Sequence, residues 1–177
     1  MGATDSQGRP FRPAELDAQK AGLQRLQFRL LHEEPLALSV SFLQEAHREL
    51  SGGVEKLHPG ELRTGEITFG SFYGTRPSLI EGELAALITT HQQQWLRCVA
   101  EQQVTPHAIW VHAELIRIHP MSDGNGRLAR ALESWLCWQG GEQAVIYPDR
   151  QRYHAGIARY CHRGDLSLLL QAATVLE

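Results

Sequence analysis

Residues 105–118 and 128–136 carry apolar side chains at helical spacing, and the stretch between them cannot continue a helix. Pro120 lacks the amide hydrogen that an inner turn needs and pushes His119 out of the right-handed helical region. Gly124-Asn125-Gly126 is turn chemistry. Two buried helices must therefore meet at a tight bend. Ile109, Trp110, Ala113 and Ile116, with Leu115 and Ile118 less regularly, form the stripe before it. Leu128, Ala131, Leu132, Trp135 and Leu136 resume the pattern after it. Thr105 is the expected N-cap of the first helix, with Pro106 at its first turn. The second helix turns its unpaired N–H groups and positive dipole end toward the bend.

The bend reads His119-Pro-Met-Ser-Asp-Gly-Asn-Gly-Arg-Leu-Ala-Arg130. His119 can take a proton near neutral pH. Asp123 is a hard oxygen ligand of the kind Mg²⁺ takes one or two of, the rest of its shell being waters and phosphates. Gly124, Asn125 and Gly126 allow several N–H groups to converge on one anion. Arg127 and Arg130 lie three apart, on one helical face, and each presents a planar fork suited to phosphate. Singly, these residues read as a capped, structural histidine, a turn aspartate and solvated arginines. Jointly they describe magnesium-assisted phosphate chemistry with a histidine base.

The stretch resembles the Fic signature, His-Pro-Phe-x-(Asp/Glu)-Gly-Asn-Gly-Arg-x-x-Arg, departing from it only at Met121. Leu57-His58-Pro59-Gly60-Glu61-Leu62-Arg63 is similar to the family's Pro-Gly-x-x-Arg segment. Ile67 to Pro77 stands where the family has a β-hairpin flap, His112 matches a common family histidine, and Gly164-Asp165-Leu166-Ser167 resembles the start of the last core helix. The resemblance covers residues 35–175. It implies an all-α Fic fold with a compact helical core and a short flap, and transfer of AMP from ATP to a Tyr, Thr or Ser hydroxyl of a target protein. His119 would be the base and Asp123 would hold Mg²⁺ (or Mn²⁺). Gly124, Asn125 and Gly126 would form the anion hole, and Arg127 and Arg130 would bind the β- and γ-phosphates. Phe69, Phe72 and Tyr73 would give the flap its grip on a target strand. Met121 can fill the space of the usual Phe but specifies the loop less tightly.

The same fold admits other chemistry: a kinase-type transfer of phosphate, transfer from UTP or CDP-choline, or a non-catalytic binding module. Gly126, which the kinase-type motif lacks, favours nucleotidyl transfer. Many Fic proteins carry an inhibitory helix, (Ser/Thr)-x-x-x-Glu-(Gly/Asn), whose glutamate pairs with the second motif arginine, here Arg130. Ser78 to Gly82 is one residue short and reads as a capping box, Ser78 with Glu81, for a long helix. Ser41 to Ala46 lies in a core helix, and Ser167 to Gln171 offers Gln for Glu. The expectation is a small antitoxin-like partner supplying the glutamate, or an unrestrained enzyme, toxin- or effector-like, acting in the cytoplasm or delivered into a host cell.

The remaining sequence reads as one domain, 12–177, behind a flexible polar tail, 1–11, whose Met1-Gly2-Ala3-Thr4-Asp5-Ser6 loosely fits a myristoylation pattern. Helices are expected over 13–33, 37–51, 79–102, 126–139, 149–162 and 166–175, with Pro35 and Gly52-Gly53 as breaks and a hairpin over 66–75. In the first helix Leu16, Leu23, Leu26 and Leu30, with Phe28 and Leu31 nearby, should face inward. A net charge of −3 argues against a nucleic-acid surface. No segment reads as a membrane span, and Cys98, Cys137 and Cys161, odd in number and without metal spacing, suggest buried thiols in a reducing cytoplasm.

Overall fold

The computed structural model describes residues 4, 5, 8–32, 37–70 and 72–176. Met1 to Ala3 and Ser6 of the myristoylation-like start, Pro35, and Ser71 of the hairpin turn lie outside the described residues. The described residues form helices α1 (Pro13–His32), α2 (Val40–Leu50), α3 (Ile80–Ala100), α4 (Val104–Ile118), α5 (Asn125–Gln139), α6 (Arg150–Arg163) and α7 (Ser167–Ala172). Two small antiparallel pairs join them: β1 (Thr68–Phe69) with β2 (Phe72–Tyr73), and β3 (Val145–Ile146) with β4 (Thr174–Val175).

Helix α4 is the axis of the domain. Ten of its fifteen residues are buried, because α3, α5, α6 and α7 all pack on it. Such all-round burial is what a helix apolar on most of its faces requires. Helix α2 packs against α1, α3 and α5. Ser39 caps it by accepting the Phe42 amide at 3.1 Å, and the Phe42 ring meets Trp135 of α5 at 4.8 Å.

Four local expectations are not met. Thr105 is not the N-cap of α4; Gln103 takes that position without a side-chain bond. The Glu142 carboxylate caps the helix instead, accepting the Val104 amide at 3.1 Å, the Thr105 amide at 2.8 Å and the Thr105 hydroxyl at 2.5 Å. Its charge sits at the positive end of the dipole. The Ser78–Glu81 capping box does not form: Pro77–Leu79 is a 3-10 turn leading into α3 with no side-chain cap. The last expected helix ends at Ala172, and the β-branched Thr174 and Val175 pair with Ile146 and Val145. In α1, Leu26 and Leu30 are buried, but Phe28 and Leu31 are 66% and 51% exposed. Cys98 and Cys137 are buried and Cys161 half-buried, all as free thiols.

Candidate functional site

His119 ends α4 in the left-handed conformation, φ 53° and ψ 59°, uncommon for a residue with a Cβ. Pro120 forbids further helix, and the turn swings the imidazole under the flap, where it stacks on Phe69 with ring centres 4.2 Å apart and planes 10° apart. His119 Nδ1 lies 3.2 Å from the Ile116 carbonyl oxygen. A carbonyl only accepts, so Nδ1 carries the hydrogen and Nε2 keeps its lone pair. Burial pushes the imidazole down to about 4, opposed by the Ile116 carbonyl and Asp123 and reinforced by the Arg63 charge. The ring is thus neutral at physiological pH, with Nε2 as its basic atom.

A second histidine sets the bend. His47 of α2 is fully buried. Its Nδ1 accepts the Gly60 amide at 3.0 Å, so Nε2 must be the protonated nitrogen, and it donates to the Asp123 carbonyl at 3.0 Å. Burial holds His47 down to about 4. Gly124 follows at φ 75°, and a Cβ there would lie 3.2 Å from His47 Nε2. This conformation begins α5 with no side-chain cap, which leaves its first amides open to an anion. The Asp123 carboxylate accepts the Gly124 amide at 2.5 Å and lies 3.7 Å from Arg127.

Asn125 contributes to this cradle by backbone alone. Its side chain is buried, accepting the Met121 amide at 3.0 Å and donating to the Met121 carbonyl at 2.8 Å. Met121 itself is 0% exposed. The flexible thioether fills the core beneath the loop, and the Asn125 amide supplies the register that the side chain does not.

His119, Ser122 to Arg127 and Arg130, with Thr4 and Asp5 of the N-terminal segment, line one cavity of about 360 Å³. Arg127 and Arg130 also belong to a second cavity of about 660 Å³, whose walls include Leu23, Val145, Ile146, Tyr147 and Tyr153. The two cavities therefore adjoin through the arginine pair. Arg127 donates to the Gln19 side-chain oxygen of α1. Burial, together with neighbouring Arg130, lowers the Arg127 pKa, while Asp123 opposes this. A third cavity, about 390 Å³, lies between residues 58–68 and Ser122. Through Ser122 it adjoins the His119 cavity from the other side.

The flap is tied to the bend by Arg63. This buried side chain donates to the carbonyl oxygens of His119 at 2.6 Å, Gly65 at 2.8 Å, Ile118 at 3.3 Å and Thr75. Its amide donates to the Pro120 carbonyl at 2.9 Å. Gly74 lets the strands close in: a Cβ there would stand 2.6 Å from Arg63 Nη2 and 3.1 Å from the His119 Cβ. Phe69 and Phe72 face inward, onto His119 and His162. Tyr73 is the outward residue of the three, 79% exposed.

Every residue expected in the bend converges there. Three contributors went unassigned: His47, Gly74 and the carbonyl-gathering role of Arg63. A histidine on the buried stripe of Leu43, Ala46 and Leu50 was the available sign for His47. Arg63 lies in the segment similar to Pro-Gly-x-x-Arg, and nothing in the linear pattern indicates the carbonyls it gathers.

A bend that sets an unprotonated imidazole beside a helix N-terminus and two arginines is equipped to hold a polyphosphate against a base. The sequence profile of the Fic/DOC family matches residues 37–137, so the chain belongs to that family. It is 30% identical over 156 residues to Protein adenylyltransferase fic-1 of Caenorhabditis briggsae, covering 86% of this chain and 30% of that protein. It is 30% identical over 138 residues to Protein adenylyltransferase Fic of Drosophila persimilis, covering 75% and 26%. The chain thus spans about three-tenths of the length of these curated relatives. Among solved structures, BepC of Bartonella tribocorum with bound AMPPNP superposes with a TM-score of 0.69 at 18% identity, over 100% of this chain and 94% of that one. Fic-1 of C. elegans superposes at 0.70 and 26% identity, over 89% and 46%. The architecture is the Fic fold.

Proposed function

We propose that this chain transfers AMP from ATP to a hydroxyl group of a target protein. The observation that carries this reading is the shared cavity wall: His119, Gly124 to Gly126 at the start of α5 and the arginine pair line one space, and the arginines continue into a larger, partly apolar one. The phosphates would lie in the first and the nucleoside in the second, between Val145, Ile146 and the two tyrosines. The target hydroxyl attacks the α-phosphorus as its proton passes to His119 Nε2, and the bond to the β-phosphate breaks to release pyrophosphate. The α5 amides, Arg127 and Arg130 stabilise the charge that grows on the phosphate oxygens. The donor set fits magnesium, a single carboxylate, Asp123, beside a phosphate cradle. The ion would neutralise charge on the phosphates.

The target segment would enter from the flap side, where the cavity of residues 58–68 leads to Ser122 and Tyr73 stands exposed. Three free thiols support a reducing compartment such as the cytoplasm.

The test uses ATP labelled at the α- or the γ-position, with magnesium and a cell lysate. Label on protein from the α-position alone supports the reading. Label from γ would replace it with a kinase reaction, and no label from either would leave a binding module.

A further inference from the structure

Helix α1 lies ahead of the segment that the family profile matches, yet it reaches the phosphate cradle through one side chain. Gln19 stands on the buried stripe of α1 with Gly22, Leu26 and Leu30, and it is 4% exposed. The backbone around it is seated against the end of α2. A Cβ on Gly52 would lie 2.1 Å from the Ala18 carbonyl oxygen, and one on Gly22 would lie 2.3 Å from the Glu49 carbonyl oxygen. Contacts this close fix where the Gln19 side chain begins.

Arg127 Nη1 meets the Gln19 carboxamide. Arginine only donates, so the atom it meets is the oxygen, and Nε2 is left to find another partner. Nε2 is buried and has no hydrogen-bond partner among the described residues. A bond from a charged donor stabilises, and an orphaned buried donor costs a similar amount, so the two roughly cancel. Gln19 therefore contributes little net stability, and its one polar bond goes to the placement of a guanidinium. On the other side Arg127 Nη2 stands 3.7 Å from Asp123 Oδ1, too far for a hydrogen bond. Gln19 is thus the close partner, and a neutral one. It fixes the fork without cancelling the charge that a phosphate would meet.

We propose that Gln19 is a positioning residue that holds the Arg127 guanidinium, in the wall shared by two cavities, for the polyphosphate. The inference rests on the transfer reading above, in which Arg127 is a phosphate ligand. Arg127 lines both cavities and Gln19 lines neither, so the effect of Gln19 on the nucleotide passes through Arg127.

The test is steady-state transfer, direct ATP binding and thermal melting of Gln19→Met, Arg127→Ala and the Gln19→Met/Arg127→Ala double variant, on the full chain. Gln19→Met keeps the length and the apolar contacts and removes the acceptor. The freed Arg127 donor then meets water in the cavity, and the melting temperature is expected to change little. The KM and the dissociation constant for ATP are expected to rise about tenfold, the scale of a lost hydrogen bond to a charged group, with a much smaller change in kcat. In the Arg127→Ala background the Gln19 change should add little, because the group it holds is gone. Unchanged ATP affinity in Gln19→Met overturns the proposal, as does a Gln19 effect of equal size with and without Arg127. A Gln19→Met chain that melts far lower or fails to fold also overturns it, because the residue would then be a structural one. An unaltered chain that neither binds ATP nor transfers from it defeats the transfer reading and this inference with it, whereas the outcomes above, read on a chain that binds ATP, bear on Gln19 alone.

Discussion

Arg63 Nε donates to the carbonyl oxygen of His119 at 2.6 Å, so the residue proposed as the base is held in its left-handed turn by a side chain from 56 positions earlier. The same guanidinium holds Gly65, Thr75 and Ile118. Flap and bend are one mechanical unit with a single buried cation at the joint. Burial lowers the Arg63 pKa, but the value stays far above neutrality for a guanidinium, and the charge persists.

Arg63→Ala would strand several buried carbonyls and is expected to destabilise the domain by about 3 kcal/mol or more. Arg63→Lys should recover only part of this, since an ammonium cannot span the same fork. Urea denaturation measures the loss. Hydrogen exchange at the Thr75 and Arg63 amides, which bond Ile118 and Pro120, should quicken in both variants. Wild-type protection at those amides would contradict the clamp.

Gly74→Ala places a methyl group against Arg63 and the His119 Cβ. The flap must lift to admit it, and the Phe69 ring must leave His119. Transfer activity is expected to fall about 10²-fold, as for misplacement of a catalytic group by roughly an ångström. The melting temperature should fall only modestly, because the flap adds few core contacts. Full activity in Gly74→Ala would show that the close approach is dispensable.

His119→Ala should retain ATP binding and lose transfer by about 10² or more. In the intact protein the base must be neutral, and its depressed pKa of about 4 moves the acidic limb of activity downward from the ordinary histidine range. The profile of kcat/KM is therefore expected to be flat between about pH 6 and 8. A limb centred near about 6.5 would place the working pKa at the unperturbed value and contradict the burial argument.

Stability should fall in acid through the buried histidines. His47 and His91 are each held down to about 4 by burial, and His107, whose Nε2 meets His91 Nδ1 at 2.9 Å, is lowered for the same reason. The unfolded chain takes up these protons from about pH 6.5 downward, while the folded chain resists until about 4. The contribution is complete above about 6.5 and is lost as pH falls toward 4, with His47 alone accounting for about 2–3 kcal/mol. Urea midpoints from pH 7 to 4.5 test the sign, and a His47→Gln variant should flatten the slope. A midpoint that rises on acidification would refute it.

The helices and the bend were legible because their causes are local. Pro120, the Gly-Asn-Gly turn and the apolar spacing on either side act within a few residues, and α1, α3, α5 and α6 begin and end within a residue or two of expectation. Expectation failed where a distant group displaced a local one. Thr105 lost its capping role to Glu142, 37 residues away, and the expected C-terminal helix gave two residues to a strand pairing with Val145 and Ile146. Phe28 and Leu31 sit at the edge of the α1 stripe, and spacing alone cannot say how wide a face the neighbouring helices cover.

The amino-acid order by itself determined which groups stand at the bend: a base, an acid, open amides and two forks, since twelve consecutive residues carry them all. Only the folded chain decided their states. Which nitrogen of His119 holds the hydrogen, and whether Asn125 serves an anion or the Met121 backbone, depend on Ile116, Arg63, His47 and other groups brought close by packing. Hydrogen-bond direction and burial are properties of neighbours in space, and a linear pattern does not contain them.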